Sequence, residues 1–129
     1  MNGVRQVIDE VRSRFGAKAV VTDPSDIAPW ITDWRGRFHG AADAILAPAS
    51  TEEVAAIVTL AVEHRVPLVP QGGNTSMVGG ATPPGDGSAL IVSLRRMKRI
   101  RSISGEGRDA IAEAGVILEA LQHAADGIG

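Results

Sequence analysis

The chain predicts an α/β fold of the α+β kind, with a βαβ unit and a small mixed sheet flanked by helices. Residues Val4, Val7, Ile8, Val11 and Phe15 recur at three- and four-residue steps, which marks an amphipathic helix. Residues 44–47, 67–70 and 89–94 are short apolar runs bounded by turn residues, which marks strands. A second helical stripe lies between the first two of these runs, and that order is what makes the βαβ unit.

The first helix covers residues 3–15 and Gly16 ends it. From 21 to 41, Asp23-Pro24, Ser25-Asp26, Pro29 and Gly36 interrupt any periodicity, so an irregular connection carrying both tryptophans is expected. Ala44-Ile45-Leu46-Ala47 reads as a short buried strand. Ser50 and Glu53 then have capping-box spacing, and Val54, Ile57, Val58, Ala61 and Val62 form the apolar stripe of a helix running to about His64. Pro67-Leu68-Val69-Pro70 brings the chain back, so the two strands should run parallel with a right-handed crossover. Residues 89–94 make a third strand, while 100–103 and 110–113 make a hairpin closed around 105–109. Val116, Leu118, Leu121 and Ala124 suggest a final helix.

Between the second and third strands lies Gln71-Gly72-Gly73-Asn74-Thr75-Ser76-Met77-Val78-Gly79-Gly80, rich in glycine and small polar residues. Glycine admits positive φ and close approach of a ligand, so successive amides can converge on phosphate oxygens. A parallel strand's carboxyl end, where this loop sits, is also where open α/β sheets bind ligands. A P-loop is excluded, because Gly79-Gly80 is followed by Ala81-Thr82 and not by Lys and Ser or Thr. The dinucleotide fingerprint is disfavoured as well: its spacing is wrong, and Pro83-Pro84-Gly85 cannot continue a helix. A flexible linker is the bland alternative, but Gln71, Asn74, Met77 and Val78 between two apolar runs argue against it.

Residues 66–80 resemble the pyrophosphate loop of the FAD-linked oxidases of the vanillyl-alcohol-oxidase type, with a PCMH-type FAD-binding domain. Within them the chain is most similar to the D-lactate, D-2-hydroxyglutarate and glycolate dehydrogenase group. The likeness extends to Thr32-Asp33-Trp34-Arg35-Gly36, Ala47-Pro48-Ala49-Ser50-Thr51-Glu52-Glu53-Val54 and Glu113-Ala114-Gly115-Val116, and Ser76 departs from the glycine expected there. The resemblance implies that residues 1–42 are an N-terminal helix and connection, and 43–129 the N-terminal part of an FAD-binding domain. A second half and a substrate domain would lie elsewhere, so a fragment of a longer flavoenzyme is expected. It implies FAD as cofactor, held by Pro70, Gln71, Gly72, Gly73, Asn74, Thr75, Ser76, Gly79 and Gly80. Amides of residues 72–76 would grip the diphosphate, with side-chain hydrogen bonds from Asn74 and Thr75. The reaction implied is hydride transfer to flavin N5 from a small D-2-hydroxy acid, followed by an unknown electron acceptor. No residue is assigned as catalytic base. Two alternatives remain open: a flavin oxidase of another substrate class, and a truncated, non-catalytic nucleotide-binding or interaction module.

Composition bounds the rest. With 129 residues the chain allows one small domain, and the absence of cysteine excludes disulfides and thiolate chemistry. A net charge of −2 gives no electrostatic case for nucleic acid. No apolar stretch is long enough to span a bilayer and no secretory signal is visible, so a cytoplasmic location is expected. A homo-oligomer is left open. His39, His64 and His123 lack metal-ligand spacing, so no metal is expected. Arg95, Arg96, Lys98, Arg99 and Arg101 read as a solvated edge beside a buried strand. Glu52-Glu53 and Asp23/Asp26 read as helix-start and turn residues, and Trp34 as an anchor of the connection against the sheet in preference to a flavin neighbour.

Overall fold

The computed structural model describes residues 2–129. Helix α1 (Gly3–Phe15) begins where the Asn2 side chain accepts a hydrogen bond from the Val4 amide, and ends at Gly16 with φ 86°. Its buried face, Val4, Val7, Ile8 and Val11, meets Leu46, Ile57, Leu60, Leu90 and Val92 in the main core.

The connection is less irregular than its composition suggests. It contains a short strand β1 (Val20–Val21), a one-turn helix α2 (Pro24–Ile27) capped by Asp23, and a 3-10 turn at Ala28–Trp30. A two-residue strand has no periodicity to detect, and β1 exists because it pairs antiparallel with β2 (Ile45–Leu46). Trp34 does not anchor this segment: it is 67% exposed, and Trp30 packs against the sheet instead.

Helix α3 (Thr51–Glu63) is capped as expected by Ser50, whose hydroxyl accepts from the Glu53 amide at 3.2 Å. Glu53 reaches back one residue further than a capping box requires, accepting from the Ala49 amide at 2.6 Å. The buried stripe is Ile57, Leu60 and Ala61, whereas Val58 and Val62 are 46% and 73% exposed. Residues three and four beyond Ile57 share its face; Val58 and Val62 lie about 100° round the helix from Ile57 and Ala61 and miss the sheet.

The four-stranded sheet has the order β1-β2-β4-β3, with β3 at Leu68–Gln71 and β4 at Leu90–Ser93. Strands β2 and β3 are each parallel to β4, so the two strands of the βαβ unit run the same way but are separated by β4. That order suits the residues. All of β4 is buried, as a central parallel strand requires, and Pro70, which has no N–H, sits on the edge. Alternation divides the side chains: Leu46, Leu90 and Val92 face α1 and α3, while Ile45 and Ile91 face Ile27, Val21, Trp30 and Ile31. The 27–42 connection therefore covers the second face of the sheet.

Strands β5 (Ile100–Ser104) and β6 (Asp109–Ala112) form the expected hairpin, with an irregularity between Ile100 and Ser102. The last helix, α4 (Leu118–Asp126), buries none of its residues. Among the described residues, no helix is long and apolar enough to cross a membrane.

Candidate functional site

The glycine loop leaves the carboxyl end of β3, where Gln71 is in register with Ser93 of β4. It is pinned from behind by the connection that covers the sheet. Gln71, 2% exposed, donates through Nε2 to the Trp30 and Ala81 carbonyls, both at 2.9 Å. The Asn74 side-chain amide donates to the carbonyls of Thr32 at 2.8 Å and Pro29 at 3.3 Å. Further out, the Arg35 guanidinium donates to the Met77 carbonyl at 3.0 Å, and a Cβ on Gly79 would come within 3.1 Å of the Phe38 ring.

Asp33 organises the turn that carries Arg35. Buried to 4% exposure, its Oδ1 accepts from the Arg37 and Phe38 amides at 2.6 and 2.8 Å. The Phe38 amide above all, opposed by burial and assisted by the Arg37 amide, lowers its pKa below the ordinary 3.8.

With Gln71 and Asn74 tied backward, the loop leaves main-chain donors unbonded. Among the described residues, the amides of Gly72, Gly73, Asn74, Thr75 and Ser76 donate no hydrogen bond. Positive φ occurs at Asn74 (58°) and Gly79 (79°) and not at Gly72, Gly73 or Ser76. Glycine at 72 and 73 serves access: a Cβ there would meet nothing within 4 Å, so the protein leaves open space beside both residues. That space is a cavity of about 800 Å³ bounded by Gly72, Gly73 and Thr75, by Trp30, Arg95 and Lys98, and by residues 114–117 with the first turn of α4.

Of the residues expected at the site, Gly72, Gly73 and Thr75 line this cavity. Pro70 lies in the edge strand without a donor, and Ser76, Gly79 and Gly80 lie outside the lining. The Asn74 side-chain amide, expected to bond the diphosphate, donates in this structure to the Thr32 and Pro29 carbonyls. Gln71 likewise points into the protein and not toward a ligand at the loop entrance.

The basic cluster also divides. Arg96 donates to the Ala47 carbonyl at 2.6 Å, and Arg101 pairs with Glu113 at 3.5 Å. Arg95, in contrast, lies over the Trp30 ring at 3.7 Å from its centroid and, with Lys98, borders the cavity. Neither is the plain solvated edge that the sequence predicts for this cluster. The signal that finds Arg95 is register: it follows Ser93 by two residues, just as Gly73 follows Gln71 on the adjacent parallel strand.

A family model described as an FAD binding domain matches residues 42–129. The chain belongs to that family of FAD-linked oxidoreductases. This FAD-binding domain is 38% identical over 104 residues to the mitochondrial D-2-hydroxyglutarate dehydrogenase of Bos taurus, a match covering 81% of this chain and 19% of that protein. It is 37% identical over 81 residues to glycolate oxidase subunit GlcD of Bacillus subtilis, covering 63% of this chain and 17% of that one. An alkyldihydroxyacetonephosphate synthase structure shares the fold with a TM-score of 0.82 at 22% identity, over 97% of this chain and 25% of the other. The FAD-binding domain thus spans roughly a fifth of the length of these curated relatives.

Proposed function

We propose that the 72–76 loop holds the diphosphate of FAD, and that the protein as a whole oxidises a small D-2-hydroxy acid. The observation that carries the first part is the set of unbonded amides at Gly72, Gly73, Asn74, Thr75 and Ser76, with open space over both glycines. Consecutive free N–H groups at the end of a parallel strand form an anion-binding concavity, and charge-assisted bonds from them hold phosphate oxygens. Their donors are fixed beforehand by Gln71, Asn74 and Arg35, so little ordering remains to oppose binding. Thr75, which lines the cavity, carries a hydroxyl that can serve as a further side-chain donor.

The chemistry FAD supplies when bound is acceptance, at N5, of a hydride from the α-carbon of the substrate. This chain's own residues bind and orient. Support for the 2-hydroxy-acid class comes from the names of the relatives at 37–38% identity, a D-2-hydroxyglutarate dehydrogenase and a glycolate oxidase subunit.

A second reading, a nucleotide-binding or interaction module without catalysis, draws on the apolar Ile117 and Leu118, which are 71% and 67% exposed. Purified protein separates the two. Flavin absorption that copurifies, or is acquired on adding FAD, and that is lost in Gly73→Glu supports the cofactor reading; colourless protein indifferent to FAD supports the module. Gly73 suits this test because a Cβ there meets no protein atom within 4 Å, so the substitution enters open space.

A further inference from the structure

The cavity beside the glycine loop carries two cations with no carboxylate to balance them. Arg95 and Lys98 both line it, no Asp or Glu does, and neither cation forms an ion pair among the described residues. This local excess of positive charge stands in a chain whose net charge is −2. Arg95 is also held in place: its guanidinium lies over the Trp30 ring and its Nε donates to the Ser93 hydroxyl at 3.1 Å. Trp30 is itself fixed, since its carbonyl accepts from Gln71 and its side chain packs on Ile45 and Ile91.

We infer that Arg95 and Lys98 form a cationic wall opposite the loop amides and neutralise the diphosphate of the dinucleotide bound there. The inference rests on the cofactor reading and deepens it, assigning side chains to an anion that backbone amides alone would otherwise carry. Stacking and the Ser93 bond orient Arg95 while its terminal nitrogens stay available, which is the arrangement a planar guanidinium needs to grip phosphate oxygens. Lys98 adds a mobile point charge.

Trp30 provides a readout that needs no turnover. In a Trp34→Phe background, Trp30 is the single tryptophan, and its fluorescence should change as FAD, ADP or inorganic pyrophosphate is titrated against the 129-residue chain. Arg95→Met with Lys98→Met should weaken ADP and pyrophosphate about tenfold and flatten the salt dependence of their binding, while riboflavin, lacking the diphosphate, changes little. Arg95→Lys should recover part of the loss. Calorimetric titration of the same variants checks that the change is in affinity and not in the emission of Trp30. If the double variant binds ADP and pyrophosphate as the unaltered chain does, with the same salt slope, the cationic wall is refuted while FAD binding by the loop survives. Pyrophosphate binding without FAD binding, weakened in the double variant, would remove the cofactor reading and reduce the wall to a site for free diphosphate; binding of none of these ligands would remove both.

Discussion

At the scale of single residues, the loop depends on polar side chains that face away from the ligand. Gln71→Leu leaves the part-buried Trp30 and Ala81 carbonyls without their donor, and should cost about 1–3 kcal/mol in urea unfolding. Asp33 makes a pH-dependent contribution. Because its folded pKa lies below the ordinary value of 3.8, the stabilisation is complete above the unfolded pKa and lost as pH falls through the folded one. The stability difference between the native chain and Asp33→Asn should therefore narrow as pH is lowered from about 5 to about 2.5, whereas a gap independent of pH would assign Asp33 a packing role only. Glycine-rich composition at residues 71–80 marked this loop in the sequence. Nothing in that composition told which polar residues face the ligand, since the Trp30, Pro29 and Thr32 carbonyls that capture Gln71 and Asn74 lie some forty positions earlier.

At the scale of elements, local signals located the helices and strands well, because capping and periodicity act within a few residues. Ser50 caps α3 through a contact three residues away, which the spacing alone reveals. The orientation of α3 was less legible. Both its rows, Val54-Val58-Val62 and Ile57-Ala61, are apolar, so hydrophobicity does not choose between them. Packing against α1 and β4 selects the row with Leu60. Leu60→Ala should thus destabilise the fold by about 2–5 kcal/mol, and Val62→Ala by no more than about 0.5 kcal/mol. Equal effects in denaturant titrations would restore the broader stripe. Strand β1 illustrates the opposite limit: two residues carry no pattern, and only pairing with β2 makes them a strand.

At the scale of the whole molecule, stability is concentrated in the four-stranded sheet with α1 and α3, and thins toward the hairpin and α4. Strand β4 is wholly buried, β6 is exposed throughout, and α4 buries nothing. Hydrogen exchange should show β4 amides among the slowest and α4 amides among the fastest of the regular elements, and strong protection in α4 would contradict that gradient. The cavity lies between these regions, with the loop and Arg95 on the firm side and residues 114–117 with the first turn of α4 on the looser one. By itself, the sequence determined the mixed α/β class, the positions of most helices and strands, and the glycine loop at a strand's carboxyl end. Those features follow from interactions between near neighbours. Tertiary structure alone decided that β4 separates β2 from β3, that Trp30 and not Trp34 packs on the sheet, and that Arg95 and Lys98 meet the loop at one cavity. Each of these joins residues distant in the chain, and their proximity depends on strand order and register, which no local pattern encodes.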